Sequence, residues 1–120
     1  MKFDHLVILV RSLDVSLHWY ETMLGLLGFT KTRDHVWLGE DGVAIDLREA
    51  QPGTGEYERF APGLNHLGFT ATDETAHDAL RDAFAEAGFE VPDKQVFGRE
   101  GTATFFRDPD GMRIEIAVYL

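Results

Sequence analysis

At 120 residues and 44% hydrophobic, the chain has the size and content for one folded domain with a real core. A net charge of −10 makes nucleic acid and anionic membranes poor partners, and no apolar run approaches the roughly 20 residues that span a bilayer. The absence of cysteine rules out disulfides and thiolate metal sites, and the start Phe3-Asp4-His5-Leu6-Val7-Ile8 has no secretory pattern, so a cytoplasmic protein is expected.

Phe3 to Val10 reads as a strand. Ser12 is a plausible N-cap, with Asp14 in the first turn. Val15, Trp19, Met23 and Leu26 then recur at helical spacing, with Tyr20 and Leu24 beside them, until Gly28. Phe29 to Lys31, Val36 to Leu38 and Val43 to Arg48 read as strands, the last entered by the turn Glu40-Asp41-Gly42. The order is βαβββ. Residues 51–63 hold Pro52, Gly53, Gly55, Pro62 and Gly63 and read as a linker.

A second round follows. Leu64 to Thr70 is a predicted strand, and Thr72 or Asp73 a cap. Ala76, Leu80, Ala83, Phe84 and Ala87 form a predicted helical face that Gly88 stops. A short strand is expected at Glu90-Val91, then a loop from Pro92 to Gly101. Thr102 to Arg107 and Met112 to Val118 are strands around the turn Asp108-Pro109-Asp110-Gly111. The order is again βαβββ.

The two halves share features in the same order. Asp4-His5-Leu6 matches Asn65-His66-Leu67, and Gly28-Phe29 matches Gly88-Phe89. Asp41-Gly42-Val43-Ala44-Ile45-Asp46-Leu47 matches Asp110-Gly111-Met112-Arg113-Ile114-Glu115-Ile116. This is the mark of a duplicated module. The expected architecture is α+β: one domain over 1–120, made of βαβββ repeats at about 1–50 and 64–120.

Period-two alternation assigns the faces. Leu6, Ile8 and Val10 lie opposite His5, and Leu67 and Phe69 opposite His66. Ile45 and Leu47 lie opposite Asp46, and Ile114 and Ile116 opposite Glu115. A lone His at a strand start is ordinarily structural or solvated. The repeat changes that weighing, because it maps His5 onto His66 and Asp46 onto Glu115. Two imidazoles with one or two carboxylates form a divalent-metal set that leaves coordination sites open for a ligand. Asp46 is one methylene shorter than Glu and has the shorter reach. Arg48 and Arg113 share the carboxylate faces and can bind an anionic substrate or serve as salt-bridged framework. His18 and His77 read as solvated helix positions, and His35 as a surface turn residue with a lesser chance of supporting the site. Trp19, Tyr20 and Phe84 read as core. Tyr57, Arg59, Phe60, Phe97 and Arg99 fall in the long loops, where they can wall a pocket or stay mobile.

Asp4-His5-Leu6, Trp19-Tyr20-Glu21 with Leu24-Gly25, Asn65-His66-Leu67-Gly68-Phe69 and Phe106-Arg107-Asp108-Pro109-Asp110-Gly111-Met112-Arg113-Ile114-Glu115 resemble the vicinal oxygen chelate superfamily. That superfamily groups glyoxalase I, bleomycin and fosfomycin resistance proteins, methylmalonyl-CoA epimerase and extradiol dioxygenases. The resemblance implies a glyoxalase-like fold, with a cupped mixed sheet and the helices outside. It also implies a homodimer and a divalent metal such as Zn, Ni, Mn or Fe. The ligand positions carry over to His5, His66 and Glu115, with Asp46 at the place of a fourth ligand. A glyoxalase-like lyase or isomerase acting on adjacent oxygens of a small substrate is the leading expectation, with Glu115 and Asp46 as catalytic carboxylates. Asp in place of the family's Glu or Gln departs from its proton-transfer pattern. The alternatives are a non-enzymatic small-molecule-binding or antibiotic-resistance protein and an extradiol-type dioxygenase. The dioxygenases are about twice this length and use an additional His, for which only His35 is at hand.

Overall fold

A computed structural model describes all 120 residues. The chain divides into two compact units, Met1–Glu56 and Tyr57–Leu120. Each is a four-stranded mixed sheet with one helix, which is the α+β class expected.

The first unit runs β1 (His5–Val10), α1 (Leu13–Leu26), β2 (Thr30–Arg33), β3 (Val36–Leu38) and β4 (Ala44–Glu49). Its sheet order is β1-β4-β3-β2, with β1 and β4 parallel and the other pairs antiparallel. The Ser12 side chain accepts from the Val15 amide, so the predicted N-cap forms. The helix passes through Gly25 to Leu26, with Leu27 as its C-cap, and Gly28 then turns the chain at φ 90°. Trp19, Tyr20, Met23 and Leu24 of α1 are buried, as are Ile8, Val10, Ile45 and Leu47.

The second unit runs β5 (His66–Thr70), α2 (Glu74–Glu86), β6 (Gln95–Val96), β7 (Gly101–Arg107) and β8 (Arg113–Tyr119), ordered β5-β8-β7-β6. The parallel pair is β5/β8, the counterpart of β1/β4. Asp73 caps α2. Phe84 packs edge-on to Phe106 at 5.2 Å and stacks on Phe89 at 4.8 Å, over the buried Ile114 and Ile116.

The β7–β8 turn is organised by one buried carboxylate. Asp108 Oδ1 accepts from the amides of Asp110 and Met112, both at 2.9 Å, while Gly111 takes φ 91°. Pro109 sits where no amide donor is required.

Two expectations are corrected. No strand forms at Glu90-Val91. The short strand is β6, inside the predicted loop and paired to β7 through Gln95↔Ala103 and Val96↔Thr102. Pro92 has no N–H for a ladder, and its carbonyl instead accepts from Arg81 at 2.7 Å. His77 is not solvated but fully buried, with Nε2 2.9 Å from Thr104 Oγ1. It stands seven residues before Phe84, so both lie on one helical stripe. The packed line of α2 is therefore rotated from the Ala76 line expected.

Candidate metal and substrate site

The strand register places the four candidate ligands in matching positions. His5 registers with Ala44, two residues before Asp46, and His66 registers with Arg113, two residues before Glu115. On either parallel pair the imidazole and the carboxylate therefore lie on one face, one step apart. The duplication is thus carried into the backbone geometry.

Each imidazole is held at Nδ1 by the side chain preceding it. His5 Nδ1 lies 2.7 Å from Asp4 Oδ2, and His66 Nδ1 lies 2.7 Å from Asn65 Oδ1. A carboxylate only accepts, so the Nδ1 hydrogen belongs to His5. Asn65 reaches the same result by a second bond. Its Nδ2 donates to the Arg59 carbonyl at 2.9 Å, which leaves Oδ1 facing His66 as an acceptor. In both rings Nε2 is the remaining nitrogen, the one available to a metal.

In the second unit, His66 Nε2 stands 3.0 Å from Glu115 Oε2. Glu115 registers directly opposite Gly68, and a β-carbon built on that glycine would come 3.6 Å from Glu115 Oε2. The glycine thus leaves the space over the carboxylate open. Phe105 flanks the pair, edge-on to His66 at 5.5 Å, and the Arg113 guanidinium lies 4.8 Å over the same ring.

In the first unit, Asp46 is buried and already bonded. His35 Nδ1 lies 2.8 Å from its Oδ1, and Arg48 Nε and Nη2 lie 3.1 and 3.0 Å from its Oδ2. Burial pushes the Asp46 pKa up, but the hydrogen bonds from His35 and Arg48 outweigh it and hold the carboxyl below its ordinary range. Arg48 thus acts as a partner of Asp46, and His35, read as a surface turn residue, is part of this network. Neither unit by itself gathers three His, Asp or Glu side chains at metal-holding geometry.

Arg113 faces the same side as Glu115. Burial, then the charges of Arg59 and Arg107, lower its pKa, and its Nε has no hydrogen-bond partner. Beyond Glu115 on this face lies a hollow of ≈ 190 Å³, lined among others by Phe97, Ala103, Ala117 and Tyr119. It exists because same-face positions carry only Ala103, Ala117 and Gly101. At Gly101 a β-carbon would meet the Val118 carbonyl at 1.7 Å, and φ is 117°. This face is not the solvent face of the sheet, since Ala103 and Ala117 are buried.

Asp4, Asn65, Gly68, Phe105 and Arg107 are the site neighbours that sequence reasoning did not single out. The Asx-His pair recurred in both halves and was the signal available. Gly68, Phe105 and Arg107 needed the strand pairing.

A family model for the Glyoxalase/Bleomycin resistance protein/Dioxygenase superfamily matches residues 2–116. The Arabidopsis thaliana protein Glyoxylase I 4 is 27% identical over 130 residues, covering 96% of this chain and 69% of that protein. A putative glyoxalase from Bacillus halodurans superposes with a TM-score of 0.81 at 25% identity, covering 97% of this chain and 94% of the other. A glyoxylase/bleomycin resistance protein/dioxygenase domain from Frankia sp. EAN1pec gives 0.76 at 27% identity, covering 100% and 98%.

Proposed function

Because the chain belongs to the glyoxalase/bleomycin resistance protein/dioxygenase superfamily, we propose that it is a metal-dependent enzyme acting on a small molecule with adjacent oxygens. The ligands are His5, His66 and Glu115. The observation that carries this reading is the matched pair of restrained imidazoles. Asp4 and Asn65 each take the Nδ1 hydrogen and leave Nε2 as a lone-pair donor. The donor set suits Zn, Ni, Mn or Fe. Such an ion, once bound, serves as a Lewis acid for oxygens that develop negative charge.

The reaction class we favour is a glyoxalase-like lyase or isomerase. Glu115 is the carboxylate we assign to hold or move a substrate proton, its Oε2 standing 3.0 Å from His66 Nε2. Asp46 is the candidate fourth oxygen donor and second carboxylate. Its bonds to His35 and Arg48 have to open for that role. Arg48 and Arg113 are the proposed substrate-facing cations. We further propose a cytoplasmic homodimer; the exposed apolar row Phe3, Val7 and Leu9 on the His5 face supports a covered surface there.

Metal analysis of freshly purified protein tests the reading. Near-stoichiometric metal is expected, and Glu115→Ala should lose most of it. Less than about a tenth of an equivalent, with no uptake of added Mn, Fe, Ni or Zn, would leave a metal-free binding protein as the surviving account.

A further inference from the structure

Three rows cross the second unit's sheet on the Glu115 face. The first is Arg107, Arg113 and His66, which register with one another across β7, β8 and β5. The second is Phe105, Glu115 and Gly68. The third begins with Ala103 and Ala117 at the hollow. Arg59 is tied to the entry of β5, since its carbonyl accepts from Asn65 Nδ2. Tyr57 closes the same loop by donating to the Leu64 carbonyl at 2.6 Å.

The two arginines of the first row stand outside any ion pair, whereas its His66 faces Glu115. No ion pair in the chain engages Arg59, Arg107 or Arg113, although the protein carries 21 acidic residues. The Nε atoms of Arg59 and Arg113 are buried without a hydrogen-bond partner. The Arg59 and Arg113 guanidiniums lie over the Phe60 and Phe105 rings and Arg107 is exposed, so in an acidic protein three cations outside any ion pair stand ready to take an anion. The opposite end is different. Phe97, Ala103, Ala117 and Tyr119 offer apolar contact and room for a small group.

We propose that the substrate is a small amphiphilic acid lying along β8. Its carboxylate or phosphonate rests on Arg107 and Arg113 with Arg59 beside them, its central oxygens face His66 and Glu115, and its short apolar tail fills the Ala103–Ala117 hollow. This deepens the metal-enzyme reading by naming a substrate class for the same site. The planar guanidinium fork of Arg matches both oxyanions, and the empty space over Gly68 lets the molecule cross Glu115.

The test uses the full chain stripped of metal, so it does not depend on metal loading. Phenylacetate, phenylphosphonate and the neutral phenylacetamide are titrated by calorimetry and by amide NMR. One of the two acids should bind at least tenfold more tightly than the amide, weaken with salt, and shift the amides of Ala103 and Ala117. The preferred acid identifies the headgroup. Arg107→Gln and Arg113→Gln should each weaken it at least tenfold, and Arg33→Gln should not. Arg107 is exposed, so its variant keeps the fold and its result stands even if Arg113→Gln misfolds. Equal binding of acid and amide, or acid binding indifferent to Arg107→Gln, overturns the proposal. Acid selectivity in a protein that takes up no metal would sink the metal centre and leave this subsite standing.

Discussion

His66 and Glu115 touch, with Nε2 to Oε2 at 3.0 Å, although Glu115 registers opposite Gly68 and not opposite His66. The contact is diagonal, one step along the parallel pair. It is possible because Asn65 turns the imidazole and Gly68 leaves the path clear.

Asn65→Ala should therefore lower metal affinity roughly 10–100-fold while leaving all three proposed ligands in place. Asp4→Ala should do the same to His5. The check is metal competition with a chromophoric chelator, alongside circular dichroism to verify the fold. Unchanged affinity in both variants would mean that the Asx-His pairs only finish the strand starts.

Gly68→Ala should be silent, because a β-carbon there makes only an ordinary 3.6 Å contact with Glu115. Gly68→Val should not, since its methyl groups enter the space over the carboxylate. We expect loss of metal or acid binding with a stability change within about 1 kcal/mol, because a β-branched residue suits the strand backbone. The first unit has Val7 at the matching position opposite Asp46. Thermal melts and binding titrations on the same samples separate the two effects.

Asp46→Asn should destabilise the protein by about 1–3 kcal/mol, as the buried partner of His35 and Arg48 loses its charge. The pH dependence has a definite sign. The folded carboxyl lies below its ordinary 3.8, so its contribution is present above that pH and fades as pH falls through the folded value. Wild type and variant melts should converge in strong acid and diverge at neutral pH. The same variant reports on the fourth-ligand role: metal content that survives it removes Asp46 from the donor set.

His77 gives a pH dependence of the same sign in a higher window, and for a different reason. Burial foremost, and then the Lys94 ammonium, push its pKa below the ordinary 6.5. The unfolded chain thus binds a proton more readily than the folded one. The neutral ring's contribution is whole above pH 6.5 and declines as pH drops toward the lowered folded value. His77→Ala should cost about 2–4 kcal/mol through the cavity and the lost Thr104 bond. It should also flatten the stability profile just below pH 6.5, as read from denaturant midpoints.

Alternation and turn chemistry made the strands legible because both are local. The repeat made the matched His and carboxylate positions legible, since equivalent residues sit at equivalent registers. What stayed hidden depended on pairing. Arg107 and Phe105 join the site only because β7 lies beside β8 in one register. His77 was misplaced because an imidazole gives no apolar signal, and one position of rotation from Ala76 decides which side packs. Asp46 read as an open ligand because its partner His35 lies 11 residues away, just before β3, and meets it only through the β3–β4 pairing.

The parallel pairs have a cost in chain entropy. Joining His5 to Ala44 closes 39 positions, and joining His66 to Arg113 closes 47. By the logarithmic closure law the longer span costs only about 0.2 kcal/mol more. The second module could therefore accept the extra residues around β6 and the turn at Gly98–Glu100, which wall the hollow, almost without penalty. The same closure makes the site conditional on a distant pairing: the His66–Glu115 contact exists only once β8 has docked beside β5.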